Sequence, residues 1–236
     1  MKKMILGLML LTLNIQATEV YATFSVEAKQ NANLAFTGSG IVNDVLVDVT
    51  TVVKEDDILA QLQNDDLKAS LNIANISLKY SKKEYERQMK VRQLIDASKL
   101  DDYAFKLENA KAQVYYQQAQ LDKTILKAPF DGIIYEKSVE VGDAVSGAML
   151  RTIFKIESLH ERKLVLEFDQ KYWKGIKAGQ VFTYTVDGDK TLYKGKISKV
   201  YPFANSTNRK IKAEVEAKDF VVGLFGEGYI STPDAK

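Results

Sequence analysis

Chemistry in this chain of 236 residues must start from side chains able to perform it, and the supply is thin. His160 is the one histidine, and cysteine is absent. The usual nitrogen and sulfur ligands of a zinc site cannot be assembled from that set. Serine and threonine are plentiful, yet a single histidine leaves them without bases, and no nucleophile stands in a recognisable arrangement. Gly38, Ser39 and Gly40 lack the third glycine and the following helix of a nucleotide-binding loop. Trp173 reads as a surface or core aromatic, not a ligand platform. No catalytic residue, cofactor site or metal site is expected from this set.

Charge excludes a further class. Lys and Arg number 33 against 31 Asp and Glu, and Lys2 and Lys3 account for the difference. Those two lysines precede an apolar run from Met4 to Leu13, with the small residue Ala17 placed for cleavage. The pattern is that of a secretory signal, and the run is shorter than the about 20 apolar residues of a spanning helix. Without the leader, no basic excess remains for nucleic acid. An exported chain without cysteine is held by packing alone, which suits a periplasmic protein.

The elements that would position any site are written partly in duplicate. Under a shift of 92 positions, Gly40, Ile41, Val47, Val49 and Val53 fall on Gly132, Ile133, Val139, Val141 and Val145. Both copies are strand-like, with Gly142 and Asp143 giving a turn in the second. Each copy is too small to bury a core alone, so the two must pack on each other. Between them, residues 65 to 122 hold no glycine or proline and many good helix formers. Leu100, Tyr103, Leu107, Ala110, Val114, Gln117 and Leu121 follow the alternating spacing of a coiled-coil seam. Leu67, Leu71, Ala74, Leu78, Tyr85 and Met89 supply a looser facing seam, so an antiparallel hairpin is expected. Its first helix should run about 30 residues. Ser98 followed by Asp101 has the form of a capping box that opens the second helix. The carboxylates of this segment lie on its solvated face.

From Leu164 onward the chain is β again. Leu164, Leu166 and Phe168 alternate with polar or outward positions, Asp187 and Gly188 mark a hairpin turn, and Ile211, Ala213, Val215 and Ala217 alternate with Lys212, Glu214 and Glu216. A small β-barrel closes such strands.

The stretch KTILKAPFDGIIYEKSVEVGDAVSGAML, with Ala128, Pro129, Phe130, Asp131 and Gly132 at its core, resembles the second lipoyl half-motif of the periplasmic adaptor or membrane fusion protein family of tripartite efflux pumps, which is HlyD-like. VEAKQNANLAFTGSGIVNDVLVDVTTVVKEDDILAQL resembles the first half-motif, with Thr50 and Asp56 where the family usually has turn glycines. The resemblance implies an elongated, mainly β molecule: a lipoyl-like barrel-sandwich hybrid split by the helical hairpin and followed by the β-barrel. The expected divisions are a signal peptide at 1–17, an N-terminal strand at 18–37 joining the barrel, half-motifs at 38–64 and 124–158, the hairpin at 65–123, the barrel at 159–232 and a tail at 233–236. A membrane-proximal domain is not expected.

Family members that dock onto a TolC-like outer-membrane channel carry Arg, then Leu, then Ser at the hairpin tip. Arg87, Val91 and Ser98 hold those spacings here. The resemblance therefore implies a periplasmic subunit associated with the inner membrane through an efflux transporter. That transporter is expected to be of the resistance-nodulation-division type, with the channel met by the tips of an adaptor ring, six-membered by family analogy. The cargo would be drugs or toxic small molecules. Beyond the leader only Met89 and Met149 remain as methionines, which argues against the metal-carrying adaptors and their soft ligands. An adaptor for an ABC exporter or type I secretion system is the alternative. A lipoyl or biotinyl carrier is the remote one, since the hairpin occupies the place of its modified lysine.

Overall fold

The computed structural model describes residues 18–232, so the expected leader and tail lie outside the described residues. Two compact units form, one from Gln30–Leu159 and one that joins residues 18–29 with residues 160–232. The first strand, β1 (Thr18–Ala28), belongs to the latter.

The first repeat builds β2 (Asn31–Leu34), β3 (Gly40–Val45), β4 (Val52–Val53) and β5 (Ile58–Leu62). Two helices follow, α1 (Asp65–Lys90) and α2 (Ala97–Asp122). The second repeat builds β6 (Ile125–Lys127), β7 (Gly132–Lys137), β8 (Ala144–Val145) and β9 (Phe154–Ser158). One sheet has the order β2-β9-β7-β4 and the other β6-β5-β3-β8. Exchanging the two repeats converts one order into the other. Each sheet takes two strands from each repeat, so neither repeat closes a sheet by itself. The duplicate pattern is thus a pseudo-twofold sandwich whose core holds Phe36, Val42, Leu59, Leu62, Ile134, Phe154 and Ile156.

The exchange is reciprocal down to single hydrogen bonds. Thr50 donates its N–H to the Ile134 carbonyl at 2.7 Å, and Gly142 donates to Val42 at 2.9 Å. Ile134 and Val42 return bonds to Thr51 and Asp143 at 3.0 and 2.9 Å. Both corners need a left-handed residue to turn the chain into the other repeat's sheet. Gly142 has φ of 95° and Thr50, in the same corner, 73°. Asp56, the other position where the resemblance leads one to expect a turn glycine, has φ of 68°. At both positions the backbone takes a left-handed conformation that glycine adopts freely, at a cost that a β-branched threonine feels most.

Each helix has 26 residues, about 39 Å at 1.5 Å per residue, so α1 is shorter than the 30 residues expected. Ala74, Leu107 and Ala110 are buried between the helices, and the other expected seam residues are half-buried. Ser81 also turns inward and fills the gap that the sequence leaves between Leu78 and Tyr85. At the base, the buried Asn64 donates its side-chain N–H to the Thr124 hydroxyl at 3.0 Å, tying the entry of α1 to the exit of α2. Gly38 donates its N–H to the Lys123 carbonyl at 3.1 Å, which gives the glycine pair near Ser39 a structural use.

The second unit adds β10 (Glu161–Asp169), β11 (Val181–Val186), β12 (Tyr193–Ala204), β13 (Lys210–Lys218) and β14 (Phe225–Thr232). With β1 they close a barrel in the order β1-β10-β13-β12-β11-β14. Period-2 alternation sends Val20, Ala22, Phe24 and Val26 inward, where Phe24 meets Phe182 and Tyr184 edge-on. The expected barrel strand at 18–37 divides between the units. Pairing with β10 stops at Ala28, and after a bend at Lys29 and Gln30 the chain pairs with β9 as β2.

Glu214 corrects the simple alternation expected on β13. It lies outside the barrel core yet is buried, accepting a bond from Tyr201 at 2.7 Å and pairing with Lys199 at 2.9 Å and Lys163 at 3.6 Å. Burial pushes its carboxyl pKa up, but the Lys199 and Tyr201 bonds and the Lys163 charge outweigh burial and leave the pKa below the ordinary glutamate value.

Candidate partner-docking site at the hairpin tip

The tip is the connection between Lys90 and Ala97, where the two helices reverse. Arg87 lies in the last turn of α1 with Lys90, a placement that complements the negative end of the helix dipole. Its guanidinium pairs with Glu84 one turn back. Gln88 donates to the other Glu84 oxygen at 3.0 Å. The Gln88 bond, ahead of the Arg87 charge, lowers the Glu84 pKa. Most of the Arg87 side chain nevertheless faces water, so its remaining donors are free to meet carbonyls or carboxylates.

Val91 is the residue that caps α1, with its N–H on the Gln88 carbonyl at 3.1 Å and its side chain exposed. Ser98 stands in the first turn of α2, so all three sequence-identified residues occupy one end of the hairpin. The capping box expected at Ser98 and Asp101 is not formed. Asp96 is the cap, accepting the Ser98 N–H at 2.7 Å, because its extended backbone (φ −63°, ψ 137°) aims the carboxylate back at the helix start.

Sequence reasoning missed Leu94. It is 86% exposed at the apex, held by a bond from its N–H to the Val91 carbonyl at 2.8 Å. A leucine inside the polar run RQLIDASK was the available signal. The tip therefore offers two exposed aliphatic side chains, Val91 and Leu94, flanked by Arg87, Arg92 and Lys99 on one count and Asp96, Asp101 and Asp102 on the other. Such a surface can bind a partner by apolar contact with charged registration. Among the described residues no group of three or more His, Cys, Asp or Glu could hold a metal ion, and no helix is long and apolar enough to cross a membrane.

Comparison with known proteins bears on what carries such a tip. Residues 30–157 match the family described as the CzcB-like, barrel-sandwich hybrid domain. An uncharacterised protein of Haemophilus influenzae is 22% identical over 222 residues, covering 91% of this chain and 58% of that protein. The chain thus spans little more than half the length of that relative. Among solved structures, a MacA–MexA chimeric protein with the Pseudomonas aeruginosa MexA α-hairpin domain superposes with a TM-score of 0.82 at 23% identity, covering 93% of this chain and 84% of that one. A membrane fusion protein of Streptococcus pneumoniae gives 0.70 at 18% identity, covering 92% and 99%. The split sandwich, the hairpin within it and the matched span together place this chain in the CzcB-like, barrel-sandwich hybrid domain family.

Proposed function

We propose that the chain is a periplasmic adaptor subunit that bridges an inner-membrane efflux transporter to a TolC-like outer-membrane channel. The observation that carries this reading is the hairpin itself. A rigid pair of 26-residue helices is inserted between two repeats that must otherwise fold as one, and it ends in exposed Val91 and Leu94 beside Arg87. An extended helical arm with exposed side chains at its end is suited to reach and contact a partner. In this reading Arg87, Val91 and Ser98 face the channel, joined by Leu94. The transporter is of the resistance-nodulation-division type, six adaptor copies line the conduit, and drugs or toxic small molecules pass through it. Energy comes from the transporter, and the adaptor carries out no reaction.

Affinity capture of the tagged chain from a detergent-solubilised envelope of its own host tests the proposal. The expected result is recovery of one inner-membrane transporter and one outer-membrane channel, with the channel alone lost in the Arg87→Glu, Leu94→Glu variant. Recovery of neither, or retention of the channel by that variant, overturns it.

A further inference from the structure

One surface of the barrel unit plays no part in the hairpin reading. Beside the 3-10 turn at Gln170–Tyr172 lies an open groove of about 720 Å³, lined by Lys171, Trp173, Val200, Tyr201, Phe203 and Ile211 among others. Trp173 is 62% exposed and Phe203 61%. Tyr201 supports Phe203 edge-on at 5.8 Å. The turn between β12 and β13 is tied alongside, since Gln170 donates its N–H to the Arg209 carbonyl at 3.0 Å. Two large aromatic side chains held open to water over a formed groove require an account, because single exposed aliphatics are ordinary and a contiguous aromatic patch is not.

The charge around this groove is predominantly positive. Lys171 lines it, Lys174 follows Trp173 and Arg209 is bonded to Gln170, and all three are exposed. The Lys171 ammonium lies 4.9 Å from the Tyr172 ring centre and the Lys174 ammonium 5.3 Å from that of Trp173, so ring faces hold these cations in place. Of the nearby acids, Asp169 keeps its charge at the start of the 3-10 turn, while Glu167 is neutralised by cations. Asp169 accepts the Lys171 N–H at 2.8 Å, and Glu167 is paired with Lys210 and Lys212. Aromatic rings with a polar edge, flanked by long cationic side chains whose stems lie along apolar surface, are the combination that settles at a bilayer's headgroup level.

The geometry points to this end of the barrel as a docking patch for an anionic phospholipid surface. Trp173 and Phe203 enter the interface between headgroups and acyl chains, and Lys171, Lys174 and Arg209 meet lipid phosphates. The patch extends the proposed bridging role by giving the barrel unit its own hold on a membrane, and it requires neither transporter nor channel.

The test uses the purified chain and vesicles of phosphatidylcholine with or without phosphatidylglycerol. Trp173 is the only tryptophan, so its fluorescence reports the patch directly. Anionic vesicles should shift its emission to the blue and sediment the protein, with binding that weakens as salt rises. Lys171→Glu with Lys174→Glu should weaken binding about tenfold or more, each charge near an anionic surface being worth roughly a fivefold change. Phe203→Ser leaves the reporter in place and should reduce both shift and sedimentation. Any contribution from residues 1–17 is common to all variants, and circular dichroism confirms the barrel in each. Absence of shift and sedimentation, or binding that both variants leave unchanged, overturns the inference. So does a groove that ignores vesicles while a captured envelope protein shields Trp173 from quencher, which would make the occupant a protein. Since the vesicles contain no protein, failure here is separate from failure of the bridging proposal.

Discussion

Thr50 and Gly142 occupy equivalent corners of the sandwich, so exchanging their residue types should move stability in opposite directions. A left-handed backbone costs an L-residue about 1–2 kcal/mol, and glycine's extra freedom in the unfolded chain costs about 0.5–1 kcal/mol. At Thr50 the side chain is exposed and the bond to Ile134 comes from the backbone, so Thr50→Gly loses no contact. The expected gain is about 0.5–1 kcal/mol. At Gly142 an added Cβ meets nothing within 4 Å, so Gly142→Thr should lose a similar amount through backbone strain alone. Thermal unfolding followed by the helical circular dichroism signal reports this unit, which contains both helices. Shifts of about 2–4 °C, upward for Thr50→Gly and downward for Gly142→Thr, are expected. A Thr50→Gly variant less stable than its parent, or a Gly142→Thr variant unchanged, refutes the equivalence of the two corners.

Other consequences follow from the same geometry. A Cβ on Gly132 would meet the Glu157 carbonyl well inside van der Waals contact, while one on Gly40 meets Leu62 at 3.6 Å. Gly132→Ala should therefore cost about 2–3 kcal/mol in denaturant unfolding and Gly40→Ala less than about 0.5 kcal/mol, although the two glycines are partners in the repeat. Glu214 has a folded pKa below its unfolded one. Its contribution to barrel stability is complete above the ordinary glutamate value and is lost as pH falls through the lowered one. Glu214→Gln should cost about 1–3 kcal/mol at neutral pH and flatten that acid limb, read from Trp173 fluorescence against denaturant. Asp96→Ala should cost about 1 kcal/mol as the lost cap, whereas Ser98→Ala, which keeps the bonded N–H, should stay within about 0.5 kcal/mol. Any loss of channel capture by Ser98→Ala is then a contact effect.

The seam of the hairpin was legible because coiled-coil packing is a local, periodic constraint: every seam residue named from spacing is at least partly buried. The fold class was legible for a related reason, since a core divided between two repeats leaves its spacing in both. What the sequence concealed depends on contacts made across the chain. Glu214 alternates like a surface residue, and its burial requires Tyr201 from across an irregular β12–β13 pairing. Asp96 and Ser98 are both good capping residues, and the path of the tip turn decides between them. Residues 18–37 read as one extended stretch, but Ala28 still faces Arg162 on β10 while Asn31 already faces Glu157 on β9. At the candidate site, Arg87, Val91 and Ser98 were proposed from the resemblance, whereas Leu94 had only its place in the segment RQLIDASK to mark it.

The central claim is that the hairpin tip meets an outer-membrane channel, and a single cysteine tests it most directly. The chain has none of its own, and Leu94 is exposed at the apex without carrying the cap, so Leu94→Cys places a thiol there at little structural cost. Ala69→Cys, exposed near the start of α1, is the control at the hairpin base. In intact host cells, a thiol-reactive cross-linker should join the Leu94→Cys protein to an outer-membrane channel and leave the Ala69→Cys protein unjoined to it. Equal yields from both positions, or no outer-membrane adduct from a stable, exported Leu94→Cys protein, would contradict the account.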